Sequence, residues 1–177
     1  MNAPSFESLS DTKIQSLRSC YFFSSCNDEV LLRLVPYFEW LPFNAGQVLI
    51  KEGEASDFAL VICSGVFEII KGENTKFSLM SNAKAGSILG EVGLVTGEKR
   101  YATCKAVEAG EVGLLSREQF LLMQFRDTDL YSMILAQMTK QLAKRLTEIT
   151  DIISVLRHKN DIALDAARRI LDASARL

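Results

Sequence analysis

Apolar and polar positions along this chain follow a helical period, then short strand-like runs, then a helical period again. Between Asp11 and Cys20, Ile14 and Leu17 stand three apart among polar neighbours, which predicts a short amphipathic helix. Asn27 is placed as the N-cap of a second helix, with Val30, Leu31, Leu34 and Val35 on one face and Pro36 at its end. From Trp40 to Phe43 onward the pattern shortens. Predicted strands cover 48–50, 58–63, 66–70, 77–80, 87–89, 103–107 and 112–115, separated by turn signals at Glu52-Gly53-Glu54, Ser64-Gly65, Gly72-Glu73-Asn74 and Ala109-Gly110. Many short strands at this spacing predict a barrel or jelly roll rather than a parallel sheet.

Helical spacing returns at Ser116-Arg117-Glu118-Gln119, a capping box that opens a helix carrying Phe120, Leu121, Leu122 and Phe125. Asp127-Thr128-Asp129 offers the next cap, and the chain then runs to about His158 without proline or glycine. Leu135, Met138, Leu142, Ile149, Ile153 and Leu156 form a heptad-like seam, interrupted near Arg145 and Leu146, which predicts a parallel homodimer through 129–158. Asn160-Asp161 is expected to end this helix and cap a final one, from Ile162 to about Ala175. The chain is thus read as an N-terminal helical segment (1–26), a mainly β region with flanking helices (27–128), and a long dimerisation helix with a terminal helix (129–177).

Composition narrows the function. The chain has 177 residues, 48% hydrophobic and 24% charged, with a formal net charge of −2, so it carries no general attraction to nucleic acid or anionic membrane. The first residues lack a basic and apolar signal pattern, and no apolar run approaches the roughly twenty residues of a membrane span. A cytoplasmic protein with no membrane association is expected. Cys20, Cys26, Cys63 and Cys104 form no CxxC pair and are read as reduced thiols, with Cys63 and Cys104 as buried small hydrophobes. His158 is the single histidine, which excludes a histidine-rich metal site, and no serine or cysteine sits in a recognisable nucleophile motif. Neither enzyme, metal nor cofactor is expected. Near the C-terminus Arg168, Arg169 and Arg176 alternate with Asp161, Asp165 and Asp172, a solvated helix face rather than a DNA-reading one.

The candidate chemistry lies at Leu89-Gly90-Glu91-Val92-Gly93-Leu94 and Arg100-Tyr101-Ala102-Thr103. Gly90 lets the backbone approach a ligand closely, and Glu91 to Leu94 fit one helical turn with free N–H groups. Arg100 suits a phosphate through two parallel charge-assisted bonds, whereas ionised Glu91 suits a sugar hydroxyl. Together these residue types point to a small sugar-phosphate anion.

This stretch resembles the phosphate-binding cassette of the cyclic nucleotide-binding domain family. Leu89, Gly90, Glu91, Gly93, Leu94, Arg100 and Ala102 meet its pattern, and Gly53, Asp57 and Gly65 resemble the first half of its β-roll. The resemblance covers about residues 20 to 157 and implies a β-roll or jelly-roll fold with a long C-terminal helix. It further implies Glu91 on the ribose 2′-hydroxyl, Arg100 on the cyclic phosphate, and backbone N–H groups around Gly90, Glu91, Val92, Gly93 and Ala102 completing the anion site. Candidate base contacts by analogy are Arg145, Leu146 and Thr147. Tyr101 stands where the family has Ser, Thr or Ala: its hydroxyl can donate to the phosphate, or its ring can fill the pocket.

The implied function is a stand-alone sensor of cyclic AMP, favoured over cyclic GMP. It would act as a regulatory or adaptor protein that repositions its C-terminal helices and contacts an effector protein. The alternatives are a ligand-independent dimeric scaffold and, less favoured because the chain stops at Leu177, a DNA-binding regulator.

Overall fold

The computed structural model describes residues 6–72 and 79–174. Helix α1 (Phe6–Ser19), a 3₁₀ turn and α2 (Asp28–Leu34) precede eight strands: β1 (Glu39–Phe43), β2 (Val48–Ile50), β3 (Phe58–Ile62), β4 (Val66–Lys71), β5 (Leu79–Lys84), β6 (Ile88–Leu89), β7 (Thr103–Glu108) and β8 (Gly110–Ser116). Helix α3 (Glu91–Thr96) interrupts the strands, and α4 (Arg117–Arg126) and α5 (Thr128–Ser174) follow them. The strands form two antiparallel sheets, in the orders β1-β8-β3-β6 and β2-β7-β4-β5. This is the β-roll with flanking helices that the pattern and the resemblance predict.

The inward faces of both sheets supply one core, including Phe43, Ile50, Leu60, Ile62, Phe67, Leu89, Cys104, Ala106 and Val112. Phe43 and Phe67 meet across it with ring centroids 4.7 Å apart. Gly65 turns β3 into β4 at φ +87°, and a Cβ there would crowd the Phe43 ring and the Glu108 carbonyl. Only glycine satisfies both demands.

Caps set the helix boundaries. The Asn27 side chain accepts from the Val30 N–H at 3.0 Å, and the Ser116 hydroxyl from the Gln119 N–H at 3.1 Å, as expected for both positions. Asp127 ends α4 and opens α5, its Oδ1 accepting from the Leu130 N–H at 3.1 Å. The same carboxylate receives Arg33 of α2 in a bidentate pair, Nε to Oδ2 at 2.9 Å and Nη2 to Oδ1. Leu130 and Ile134 are buried and Tyr131 stacks on Phe120 at 4.9 Å, so the first compact unit continues into α5 as far as Gln137. A second unit starts at Met138.

Two expectations change. Strand β5 runs from Leu79 to Lys84 rather than over 77–80, while residues 73–78 lie outside the described ones. Its polar Ser81, Asn82 and Lys84 hid it. The ladder offered by β4, from Val66 opposite Lys84 to Lys71 opposite Leu79, decides its register. The second correction concerns the C-terminal helices. No break occurs at Asn160-Asp161: α5 is one helix of 47 residues, Thr128–Ser174, and no separate helix starts at Ile162. Asn and Asp cost a helix interior only about 0.7 kcal/mol or less each, whereas a break orphans backbone groups on both sides of it.

Asp127 offers a test of the joint. Asp127→Asn keeps a cap but loses the ion pair, and Asp127→Ala loses both, so Ala should be the less stable by about 1 kcal/mol. The Arg33 hydrogen bonds hold the Asp127 pKa below its ordinary value. The pair's contribution is therefore present above the unfolded carboxylate pKa and is lost as pH falls through the lower folded value. Melting temperatures of wild type and Asp127→Asn should differ at neutral pH and converge in acid.

Candidate functional site

At the end of β6 the chain turns at Gly90, whose φ of 78° and ψ of 12° are left-handed and whose missing side chain leaves room for another group. A Cβ at this position would overlap Nη1 of Arg100 and approach the Phe58 carbonyl oxygen at 3.2 Å. Helix α3 starts at Glu91 and stops at Gly97, also left-handed at φ 72°, whose N–H donates to the Gly93 carbonyl at 2.8 Å. Leu94 is fully buried, and its N–H donates to the Gly90 carbonyl at 3.2 Å, so Leu94 serves the helix and the core. Val92 is half-buried. Gly93 is required by packing: a Cβ there would coincide with the hydroxyl of buried Ser56.

Both charges of the cassette are inside. Glu91 is 4% exposed and Arg100 5%. Arg100 is threaded backbone to backbone against the loop after β2, its N–H donating to the Glu54 carbonyl and its carbonyl accepting from the Gly53 N–H, both at 2.9 Å. Its side chain turns inward. Nη1 donates to the Phe58 carbonyl at 2.7 Å and more distantly to the Gly90 carbonyl at 3.5 Å, and the guanidinium carbon lies 4.2 Å from the Phe58 ring centroid. Nη2 has no hydrogen-bond partner; the carboxylate nearest to it, Asp57 Oδ1, is 3.7 Å away and its side chain is largely exposed. Burial lowers the Arg100 pKa, with Asp57 the main opposing charge. The group remains a cation.

Cys104, on β7 beside these residues, shows the local field. Burial pushes its thiol up to about 11, Arg100 pulls it down and Glu91 raises it again. Cys20 is likewise raised to about 11 by burial, and all four cysteines are free thiols. Among the described residues no three His, Cys, Asp or Glu side chains converge on a metal-sized point, and no helix is long and apolar enough to cross a membrane.

Tyr101 points away from this interior and is half exposed. Its hydroxyl donates to Glu98, which raises its pKa, and Lys71 Nζ lies 5.2 Å from its ring centroid. These residues, with Glu52, Gly53, Lys99 and Arg100, line a cavity of about 380 Å³. Ala102 is half-buried just before β7. Arg145, Leu146 and Thr147 are exposed on α5 in the second unit, where the Thr147 hydroxyl donates to the Ala143 carbonyl at 3.1 Å.

Phe58 and Ser56 were not legible as site residues. They lie about forty positions before their partners, and an aromatic at a strand start or a serine in the loop before it carries no local signal. Because the Ser56 hydroxyl occupies the space a Gly93 side chain would need, Gly93→Ala should destabilise the fold by about 1–3 kcal/mol. Adding Ser56→Gly should recover part of that loss. Urea unfolding of the two variants measures the coupling.

The orphaned Nη2, a glycine whose Cβ would displace the guanidinium, and a buried carboxylate nearby fit a small anion that also carries hydroxyls. The chain is 30% identical over 105 residues to a cGMP-dependent protein kinase of Plasmodium berghei, an alignment that covers 59% of this chain and 12% of the kinase. A cyclic nucleotide-binding domain from Methylobacillus flagellatus superposes with a TM-score of 0.69 at 23% identity, over 79% of each chain. The structure of cAMP-bound PfPKA-R gives a TM-score of 0.57 at 25% identity, over 68% of this chain and 43% of that one. The family model of the cyclic nucleotide-binding domain matches residues 40–127, and through that domain the chain belongs to the cyclic nucleotide-binding family.

Proposed function

We propose that the protein is a cyclic nucleotide sensor, cyclic AMP being favoured over cyclic GMP, that acts as a non-catalytic regulatory or adaptor protein. The observation that carries this reading is Arg100: a guanidinium sunk into the roll with one corner lacking a hydrogen bond and facing only the loose Asp57 ion pair. A buried cation left short of partners is costly, and an anionic ligand removes that cost. In this reading a cyclic phosphate takes Nη2 of Arg100 and the backbone N–H groups at Gly90, Glu91, Val92, Gly93 and Ala102, while Glu91 accepts from the ribose 2′-hydroxyl. The relatives described above supply both nucleotides, one named for cGMP and one solved with cAMP. Tyr101 supports ligand entry over a filled pocket, because its ring is at the surface and its hydroxyl is engaged by Glu98.

The output is assigned to α5. Leu142, Leu146, Ile149, Ile153 and Leu156 are all exposed and follow one another at steps of four, three, four and three. That spacing, with Leu146 included, supports a coiled-coil seam along this face. We assign this face to a homodimer and the terminal stretch, 162–175, to contact with an effector protein. No role in binding nucleic acid or membrane is assigned.

Titration calorimetry of nucleotide-stripped protein with cyclic AMP and cyclic GMP tests the sensor reading. A dissociation constant on the order of micromolar is expected for the preferred ligand, and Arg100→Ala should weaken it by about 2–5 kcal/mol because the buried phosphate loses its charge partner. Folded, ligand-free protein giving no heat with either nucleotide would favour the ligand-independent scaffold. For the output, sedimentation velocity should show a dimer that Ile149→Asp with Ile153→Asp converts to a monomer. An unchanged sedimentation coefficient would remove the seam from the interface.

A further inference from the structure

The Arg100 guanidinium is held twice by one residue. The Phe58 carbonyl accepts from Nη1 at 2.7 Å, and the Phe58 ring lies 4.2 Å from the guanidinium carbon. We propose that Phe58 is the positioning residue of the anion site: its carbonyl and its ring together fix the plane of Arg100 and leave Nη2 as the corner whose hydrogen bond a ligand would supply. The assignment rests on the reading that the phosphate binds Arg100.

The holding residue is itself immobilised. Phe58 is the first residue of β3 and pairs with Ser116 of β8, and the carbonyl before it, that of Asp57, accepts from the Arg117 N–H at 2.6 Å. Neither the Phe58 carbonyl nor the start of its side chain can shift without opening this ladder. On the other side Gly90 presents only backbone, so the guanidinium lies between a strand and a glycine turn. An arginine loses considerable rotamer freedom when it is ordered, and here that loss is incurred during folding rather than at ligand binding. The ring adds a cation–π attraction that survives desolvation, as water does not. Asp57 cannot substitute for Phe58: its oxygen is 3.7 Å from Nη2 and its side chain is largely exposed.

Phe58 also packs against the roll core, so the test must separate positioning from packing. Phe58→Met keeps much of the volume and removes the ring, Phe58→Leu is a second ring-free variant should Met fail to fold, and Phe58→Tyr restores a ring. Calorimetry with cyclic AMP and cyclic GMP is paired with thermal unfolding and with guanidinium NMR of ligand-free, arginine-labelled protein. The ring-free variants should weaken binding about 5- to 30-fold and the Tyr variant about twofold or less, the range expected for a desolvated cation–π stack. The Arg100 resonances should be shifted by the ring and slowed in rotation in wild type and Phe58→Tyr, and averaged in Phe58→Met. Wild-type affinity in a ring-free variant, whatever its melting temperature, would reduce Phe58 to core packing and overturn the proposal. So would Arg100 resonances that ignore the ring. If wild type binds neither nucleotide while its Arg100 resonances still depend on the ring, the ligand reading fails and the holding of Arg100 stands.

Discussion

Burying one arginine organises the functional end of this roll. A guanidinium inside a protein costs several kcal/mol in lost hydration unless its N–H groups find acceptors, and its surroundings must be arranged around that need. Arg100 obtains a strand carbonyl from Phe58, a more distant turn carbonyl from Gly90, and an aromatic face, and one corner still lacks a hydrogen bond. Each partner imposes a local condition. Gly90 must lack a side chain, β3 must begin at Phe58, and the loop holding Gly53 and Glu54 must lie flat against the Arg100 backbone. Three separate stretches of chain are therefore fixed by one residue, two through its side chain and one through its backbone.

The neighbourhood of this site is tied to the helices by few covalent and hydrogen-bonded steps. The Asp57 carbonyl, one residue before Phe58, receives the first N–H of α4. Helix α4 ends at Asp127, which caps α5 and pairs with Arg33. Displacement of Phe58 or Arg100 thus has a short physical path to the start of α5, through groups whose hydrogen bonds leave little slack. The proposed sensor function requires two arrangements with different affinities for ligand, and we place that difference along this path.

Much of the architecture was legible because the relevant forces are local. Asn27 and Ser116 announce helix starts because their side chains satisfy backbone donors a few residues ahead, and both do so here. Gly65 announces a turn because few other residues accept its backbone angles. Strand β5 was misplaced and Asn160-Asp161 was misread as a break for the opposite reason. The β5 register comes from β4, and the continuity of α5 depends on backbone hydrogen bonds that composition signals only weakly. Glycines, a carboxylate and an arginine at fixed spacing likewise marked the turn around which both charges are buried.

By itself the sequence determined the class of fold, the location of the cassette and the identity of its two charges, all of which follow from residue type and short-range spacing. Tertiary structure decided how those charges are held. Arg100 turns inward to a carbonyl forty-two positions away, Tyr101 turns outward to Glu98 and Lys71, and Ser56 reserves the space that makes Gly93 obligatory. Such relations depend on which strands lie side by side. Strand pairing is a long-range choice, settled by the collective burial of the core and carried by no residue alone.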